Sequence, residues 1–183
     1  MTEKIISYRY AKALLDLAVN EKLSDQIYYD FSKVEYTFKM SRELRSLTAS
    51  PVFQIYRKRK IYQELFKEEG ISDFTLNFLL LTIDKRRGEL IPSIIKQYNK
   101  LYDELNNRLN VQITSAIELT DTIKEKVLNK LKEWTQKTIL PEFKIDTTIK
   151  GGIVLKIEDW VFDASIKNQL ENLYQELALS QAN

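Results

Sequence analysis

Through the first 105 residues, apolar side chains recur every three or four positions, the spacing that collects them on one side of an α-helix. Six segments show this spacing, beginning with residues 4–20. Turn-forming residues separate them: Ser50-Pro51 follows the third segment, and Gly70 precedes the fifth. Ser41 can cap the third segment, and Arg86-Arg87-Gly88 ends the fifth with glycine beyond the last turn. The pattern predicts a bundle of six helices over residues 1–105.

The first and fifth predicted helices are apolar on two sides, although a helix on the surface of a small bundle needs only one apolar stripe. The second stripe of the first helix consists of Tyr10, Ala13, Leu14 and Leu17. The second stripe of the fifth helix is partly polar and consists of Asn77, Leu80, Leu81 and Asp84. Two interpretations stay open at this point. Either these helices are central and surrounded by their own domain, or the second stripes form a docking face for a partner.

After Asn106-Asn107-Arg108 the apolar period changes from helical to two, so we place a domain boundary near residue 105. Alternation over residues 111–117 and 143–149 predicts strands. Between them, Thr122 and Glu125 form a potential capping box for a helix. The predicted inner stripe of that helix is Ile123, Val127, Leu131 and Trp134.

Residues 153–157 and 160–162 then predict a hairpin that follows Gly151-Gly152. Asp163 or Ser165 can cap a final helix, whose predicted stripe is Ile166, Leu170, Leu173 and Leu177. The order β-α-β-β-β-α predicts a small α/β domain with a mixed sheet over residues 106–183. The complete fold is therefore expected to be α+β, a six-helix bundle followed by this α/β domain.

Composition excludes several classes of chemistry. The chain has 183 residues with neither histidine nor cysteine, so it offers no histidine-based nucleophile pair, no thiol and no histidine-ligated metal. Its four glycines fit no phosphate-binding loop. The longest apolar run, residues 78–81, is too short to span a bilayer, and no targeting pattern opens the chain. We expect no enzyme activity, no cofactor and no metal.

The fourth predicted helix, residues 54–67, carries the most basic run of the chain, Arg57-Lys58-Arg59-Lys60. Its predicted inner face consists of Ile61, Tyr62, Leu65 and Phe66. The run is interpreted as a solvated helix face, because no aromatic stacking platform accompanies it and the formal net charge is only +2. A nucleic-acid-binding module remains an alternative hypothesis, and so does a helical adapter of some other complex.

Three blocks resemble motifs of the delta subunit family of F-type ATP synthase, which includes the mitochondrial oligomycin-sensitivity-conferring protein. Tyr10-Ala11-Lys12-Ala13-Leu14 is similar to the opening motif Y-A-x-A-L/F. Residues 77–104 are similar to N-F-L-x-L-L-x-x-x-x-R-x-x-x-L-x-x-I-x-x-x-F/Y-x-x-L. The stretch from Gly151 resembles the signature G-G-x-x-x-x-I-G-D-x-x-x-D-G-S. Glu158 and Ala164 depart from this signature, since the family usually has glycine at both positions, and both are expected at turns.

The resemblance implies a non-catalytic stator subunit, of the bacterial type. Residues 1–105 would hold the N-terminal helix of an alpha subunit on the catalytic head, with the eight residues of the two second stripes as contacts. Residues 106–183 would hold the C-terminal end of the b subunits in the peripheral stalk. The protein would then resist rotor torque at the cytoplasmic face of the bacterial inner membrane, touching the membrane only through the synthase and binding no nucleic acid.

Overall fold

A computed structural model describes residues 3–157 and 160–170, and the chain divides into two compact units, Met1–Tyr102 (unit 1) and Asp103–Asn183 (unit 2). Unit 1 is helical, and unit 2 combines a four-stranded mixed sheet with a helix. The predicted fold class, a six-helix bundle followed by a small α/β domain with a mixed sheet, is confirmed. The division between the units falls in the last turn of the sixth helix.

The helices of unit 1 are α1 (Glu3–Asn20), α2 (Ser24–Met40), α3 (Arg42–Ala49), α4 (Ile55–Glu68), α5 (Asp73–Asp84) and α6 (Ile91–Leu105). A short 3-10 helix, Gly88–Leu90, precedes α6. The Ser41 hydroxyl accepts a hydrogen bond from the Leu44 N–H at 3.0 Å, so the predicted cap of α3 is confirmed. Ser72 caps α5 in the same way, accepting from the Thr75 N–H at 3.3 Å.

The ends of α4 and α5 use glycine differently. Gly70 follows α4 with φ +66°, and the Ile71 N–H donates to the Phe66 carbonyl at 3.3 Å, the arrangement of a Schellman motif. After α5, however, the residue in the left-handed conformation is Arg86 (φ +56°), and not Gly88. Gly88 is buried instead, and a Cβ there would lie 2.5 Å from Ile83 Cδ1. Close packing, rather than backbone conformation, therefore favours glycine at position 88.

All six helices contribute buried side chains to a single core in unit 1. The Phe31 ring on α2 packs edge-to-face on the Tyr98 ring of α6, with centroids 5.0 Å apart. On α4, Tyr62 and Phe66 are fully buried as predicted, but Ile61 is exposed and Leu65 is half-buried. The inner face of α4 is therefore narrower than its sequence indicates.

Unit 2 contains β1 (Arg108–Ser115), α7 (Asp121–Thr135), β2 (Thr138–Ile145), β3 (Gly152–Ile157) and β4 (Trp160–Ser165). The strand order is β2-β1-β3-β4. β1 pairs in parallel with β2 and antiparallel with β3, and β3 pairs antiparallel with β4. α7 connects the two parallel strands and packs Leu131 against Val111, Ile113 and Ile139.

Three local predictions in unit 2 are wrong. α7 starts at Asp121 after Thr120, with no hydrogen bond from a capping side chain, so Thr122 does not occupy the cap position of a capping box. Ile123 and Trp134 are exposed, because Val127, Leu128 and Leu131 form the side that meets the sheet. Ala164 lies inside β4, paired with Ile153, and not in a turn.

The second strand also differs from its prediction. β2 begins at Thr138, and Ile149 lies in a 3-10 helix, Thr147–Ile149, outside the strand. Pro141 is tolerated within β2 because this strand lies at the edge of the sheet.

The end of unit 2 is described in part. The Ser165 hydroxyl accepts a hydrogen bond from the Asn168 N–H at 3.1 Å, and residues 166–170 are helical, so the predicted cap at Ser165 is confirmed. Glu158, Leu173 and Leu177 lie outside the described residues. Within the described ranges, no helix is both long enough and apolar enough to span a bilayer.

Candidate partner-binding site

The eight predicted contact residues lie on α1 and α5 at the same relative spacing, i, i+3, i+4 and i+7 on each helix. Five of them are exposed: Ala13, Leu17, Asn77, Leu81 and Asp84. Tyr10 is half-buried. Leu17 and Leu81 are the large apolar members, and they expose 56% and 46% of their surface. A partner could therefore contact apolar groups on both helices.

Leu14 and Leu80 do not belong to that surface. They are only 2% and 4% exposed, and both are part of the core of unit 1. Leu14 is adjacent in sequence to Leu15, at the border between the two stripes of α1, and periodicity alone does not assign a border residue to one side. We therefore restrict the candidate site to Tyr10, Ala13, Leu17, Asn77, Leu81 and Asp84, and call it the α1–α5 surface.

α1 and α5 are neighbours at this surface. The Tyr10 ring packs edge-to-face on the Phe78 ring of α5, with centroids 6.5 Å apart. The centroid of the Phe78 ring in turn lies 6.2 Å from the centroid of the Phe31 ring on α2. A residue of the second stripe of α1 thus contacts α5 directly.

A buried carboxylate fixes the start of α5. Asp30 on α2 is fully buried, and its Oδ2 accepts hydrogen bonds from the Ser72 N–H at 3.0 Å, the Ser72 hydroxyl at 2.6 Å and the Thr75 hydroxyl at 2.7 Å. Its Oδ1 accepts from Gln26 at 3.1 Å. A negative charge at a helix N-terminus also complements the helix dipole. Asp30 therefore positions α5, and with it half of the α1–α5 surface.

Sequence reasoning missed Asp30, although a signal was present. The residue lies between Ile27 and Phe31 on the inner side of α2, where a solvated carboxylate would not be expected. A charged residue at an inner position of an amphipathic helix indicates a buried polar partner elsewhere.

Asp84, at the end of α5, forms a salt bridge with Arg59 of α4. The opposite charges of this pair offset each other at the polar edge of the α1–α5 surface. It also removes one cation from the basic run of α4. The Lys58 amine donates to the Thr48 carbonyl at 2.8 Å, and the Lys60 Nζ lies 3.8 Å from the Glu64 Oε1.

Burial lowers the pKa of Lys58, while Glu89 opposes that shift. Three of the four basic side chains of the run thus have partners within unit 1. A nucleic-acid site would need them free for phosphates, so the structure does not favour the nucleic-acid hypothesis.

Two clefts elsewhere on unit 1 are not indicated by the apolar pattern. One, of about 470 Å³, lies between α3 and α4 and is lined mainly by apolar residues that include Leu47, Phe53 and Ile61. The other, of about 530 Å³, lies between the α3–α4 loop and Arg86 and Glu89. Both depend on how non-adjacent segments pack, which apolar spacing along one helix does not reveal.

Unit 2 has an apolar surface of its own on the outside of α7. Trp134 exposes 76% of its surface, and Ile123, three turns earlier, is also exposed. Eleven residues separate them, so they lie on nearly the same side of the helix. Exposed Lys126 and Lys130 flank them. This α7 surface, defined by Ile123, Lys126, Lys130 and Trp134, can bind an apolar partner that carries acidic groups.

Neither surface contains a set of groups suited to catalysis or metal binding. Over residues 3–157 and 160–170, no cluster of three or more acidic side chains could hold a metal ion. What the arrangement offers is contact area: exposed apolar side chains on rigid helices, bordered by polar groups. Such surfaces bind other proteins.

Comparison with known proteins points to one family. A family model described as ATP synthase delta (OSCP) subunit matches residues 6–177. An ATP synthase subunit delta from Chloroherpeton thalassium is 34% identical, covering 98% of this chain and 97% of that protein. One from Chlorobium phaeobacteroides is 36% identical and covers 97% of both chains.

The fold also has a solved counterpart. A chain in the cryo-EM structure of the Toxoplasma gondii mitochondrial ATP synthase hexamer superimposes with a TM-score of 0.77. That match covers 97% of this chain and 98% of the other, at 17% sequence identity. At this identity the likeness concerns the fold alone.

Proposed function

Because the chain belongs to the ATP synthase delta (OSCP) subunit family, and so is a non-catalytic stator component of F-type ATP synthase, we propose that it links the catalytic head to the b-subunit peripheral stalk. Unit 1 binds the N-terminal helix of an alpha subunit, and unit 2 binds the C-terminal end of the b subunits. The link resists the torque of the rotor. The protein is peripheral, at the cytoplasmic face of the bacterial inner membrane, and reaches the membrane only through the synthase.

The observation that carries this proposal is the apolar surface left exposed on α1 and α5, two helices that contact each other through Tyr10 and Phe78. Leu17 and Leu81 remain exposed although α1 and α5 each bury another side. An amphipathic helix that covers such a surface gains affinity from desolvated apolar contacts, and these contacts mainly slow dissociation. Slow dissociation is what a stator link requires, because it must hold through each rotary stroke.

The stalk end is supported by the α7 surface. A solvent-exposed tryptophan on the outer side of a helix is a common anchor in protein interfaces. The lysines beside Trp134 would steer acidic groups of a stalk helix toward it. Head and stalk would then occupy surfaces in different units, as a link requires.

Paired substitutions test both ends in the same full-length chain. Leu17→Asp should weaken binding to the catalytic head at least about tenfold, since it places a carboxylate against an apolar partner, and should leave stalk binding unchanged. Trp134→Glu should do the reverse. Val19→Asp, exposed on the far side of α1, and Asn129→Glu, an exposed residue of α7 outside the α7 surface, are the matched controls. Head binding unaffected by Leu17→Asp would place the alpha-subunit site elsewhere.

A reconstitution tests the function itself. Membranes stripped of this subunit should lose proton-driven ATP synthesis and regain it when the purified protein is added back. The released head should hydrolyse ATP throughout, because the sequence of this chain contains no phosphate-binding loop for a nucleotide. Hydrolysis that depended on the added protein would give it a catalytic part and overturn the stator proposal.

A further inference from the structure

The cleft of about 530 Å³ in unit 1 brings together basic side chains from two segments that are far apart in the chain. Lys58 of α4 and Arg86, two residues beyond the end of α5, both line it. Sites for small molecules commonly enclose roughly 300–1,000 Å³ and combine an apolar lining with a few polar groups. This cleft has a suitable size, and it lies apart from the six residues of the α1–α5 surface.

The Lys58 amine is held at the cleft by a fixed acceptor. Its Nζ donates to the Thr48 carbonyl at 2.8 Å, and the Thr48 hydroxyl is hydrogen-bonded to the buried Tyr62 hydroxyl at 2.6 Å. A protonated amine has three N–H donors, so this bond leaves it able to donate to a ligand as well. A neutral carbonyl also does not cancel the positive charge.

Arg86 lies in a conformation that favours glycine. Its φ is +56°, and its N–H donates to the Ile83 carbonyl at 2.9 Å. An arginine at such a position has a backbone cost that glycine would avoid. Over residues 3–157 and 160–170, no hydrogen bond or ion pair engages its guanidinium. The side chain of Arg86 therefore does not repay this cost through a contact within the described structure.

Gly88 brings the turn that carries Arg86 close to the end of α3. A Cβ added to Gly88 would lie 3.1 Å from Thr48 Cγ2, on the residue whose carbonyl holds Lys58. The cations at positions 58 and 86 thus line one cleft because the two segments approach each other at Gly88 and Thr48.

The lining defines the charge and the polarity of a ligand. Lys58 and Arg86 are positive and Glu89 is negative, which leaves one net positive charge among the lining residues. Apolar groups complete the lining, and one of them, Phe53, also lines the apolar cleft between α3 and α4. A monoanion with an apolar part matches these features, whereas Glu89 would repel the second charge of a dianion.

We propose that this cleft binds a small organic carboxylate, with its charged group at Lys58 and Arg86 and its apolar part against Phe53 and Ile55. A guanidinium matches the two oxygens of a carboxylate, and an amine adds a point charge beside it. Burial of the apolar part against the α3–α4 loop adds affinity that acetate or inorganic phosphate cannot obtain. This binding site is additional to the stator link and does not depend on it.

Octanoate is a probe with both required parts. Titrated into the full-length, ¹⁵N-labelled protein, it should shift the amide signals of residues 48–58 and 86–89 in a saturable way. Octanamide has the same shape without the charge, and it should bind at least about tenfold more weakly, because it lacks charge-assisted hydrogen bonds. Inorganic phosphate supplies charge without the apolar part and should also bind more weakly.

Two substitutions remove the cations one at a time. Lys58→Gln, whose amide can still donate to the Thr48 carbonyl, should weaken octanoate binding at least about tenfold, and so should Arg86→Gly. Glycine suits the backbone at position 86, so a loss of binding there does not result from strain. Lys85→Gln removes an exposed cation beside Arg86 that does not line the cleft, and this control should bind octanoate like the parent.

Several results would overturn the proposal. Equal affinity for octanoate and octanamide would show an apolar cleft without a role for the cations, and phosphate binding as tight as octanoate would show a site for inorganic anions. Octanoate shifts centred on the α1–α5 surface would place the ligand elsewhere, as would binding that survives both Lys58→Gln and Arg86→Gly. None of these measurements involves the catalytic head or the stalk, so their failure is distinct from a failure of the stator proposal.

Discussion

Unit 1 and unit 2 differ in how they bury their apolar side chains. In unit 1, every helix contributes to one core, and aromatic rings from α2, α4 and α6 are fully buried. In the described part of unit 2, the buried cluster consists of Val111, Ile113, Leu131 and Ile139. Large apolar side chains such as Trp134, Trp160 and Phe162 stay exposed there.

The difference follows from the elements themselves. Six helices can surround one another, so each finds a neighbour for its apolar side. A four-stranded sheet has a broad apolar face, and α7 covers only part of it. Unit 1 is therefore expected to be stable without partners, with its binding surface added to a finished core. Unit 2 is expected to depend more on what covers it.

The two units can be followed separately, because both tryptophans lie in unit 2 and most of the helix lies in unit 1. The largest expected effect comes from a substitution in the core of unit 1. Phe31→Ala should lower the free energy of unfolding of unit 1 by about 3–5 kcal/mol, since a fully buried ring is replaced by a cavity.

Urea unfolding monitored by circular dichroism at 222 nm should show this loss, while the transition monitored by tryptophan fluorescence stays in place. Tyr29→Ala, exposed two residues earlier on α2, should change either transition by less than about 0.5 kcal/mol. Equal shifts of both transitions would mean that the two units do not unfold independently.

The next effect is directed at unit 2. Gly152→Ala should destabilise unit 2 by about 2–4 kcal/mol, because Gly152 has φ +79° and the added Cβ would lie 2.2 Å from the Ala164 carbonyl oxygen. The fluorescence transition should shift to lower urea concentration. Gly70→Ala, in unit 1, is the control. There φ is +66°, but the atom nearest to the added Cβ is the flexible Lys33 Nζ at 3.9 Å. We therefore expect only about 1 kcal/mol of backbone strain. A larger loss for Gly70→Ala would contradict the packing explanation.

A third change tests the polar junction between α2 and α5. Asp30→Ala should destabilise unit 1 by about 2–3 kcal/mol, since Ser72 and Thr75 lose a buried charged acceptor. The circular dichroism transition measures this loss. Asp30→Asn keeps the shape and one acceptor oxygen, and it should lose less. If both variants match the parent, the junction does not hold α5 in place.

The smallest effect concerns pH and unit 2. Hydrogen bonds from Ser165 lower the pKa of Asp163 below its ordinary value. A carboxyl whose pKa is lower in the folded than in the unfolded state stabilises the folded protein at pH values above its unfolded pKa, which is about 4. That contribution is lost as pH falls through the folded pKa. Fluorescence-monitored urea unfolding at pH 6 and pH 3 should therefore show a slightly smaller acid loss for Asp163→Asn than for the parent. An identical loss in both would contradict this role of Asp163.

Much of the fold could be predicted because its signals are local. Apolar spacing identified all six helices of unit 1. From side chains alone, Ser41 was identified as a cap, and Ser165 was one of two candidates for another, beside Asp163. The change to alternation identified the strands of unit 2, although β2 begins several residues before its apolar alternation does. The stator role is likewise indicated by three short motifs, each of which lies within one contiguous stretch of the chain.

The depth of individual residues could not be predicted in the same way. Leu14 and Leu80 have the same spacing as the exposed Leu17 and Leu81, yet they lie in the core. On α7, Ile123 and Trp134 have the spacing of an inner stripe, yet both are exposed. Periodicity fixes the side of a helix on which a residue lies, but the neighbouring element decides where the buried arc begins and ends.

The sequence by itself determined the order and type of the elements, the absence of histidine and cysteine chemistry, and the family, because composition, spacing and motifs belong to the chain alone. Only the tertiary structure decided which stripe residues remain exposed on α1 and α5, that Asp30 holds the start of α5, and that close packing favours glycine at position 88. These features arise from contacts between segments far apart in the chain. The physical reason is that burial and hydrogen bonding depend on both partners of a contact, whereas a local pattern describes only one.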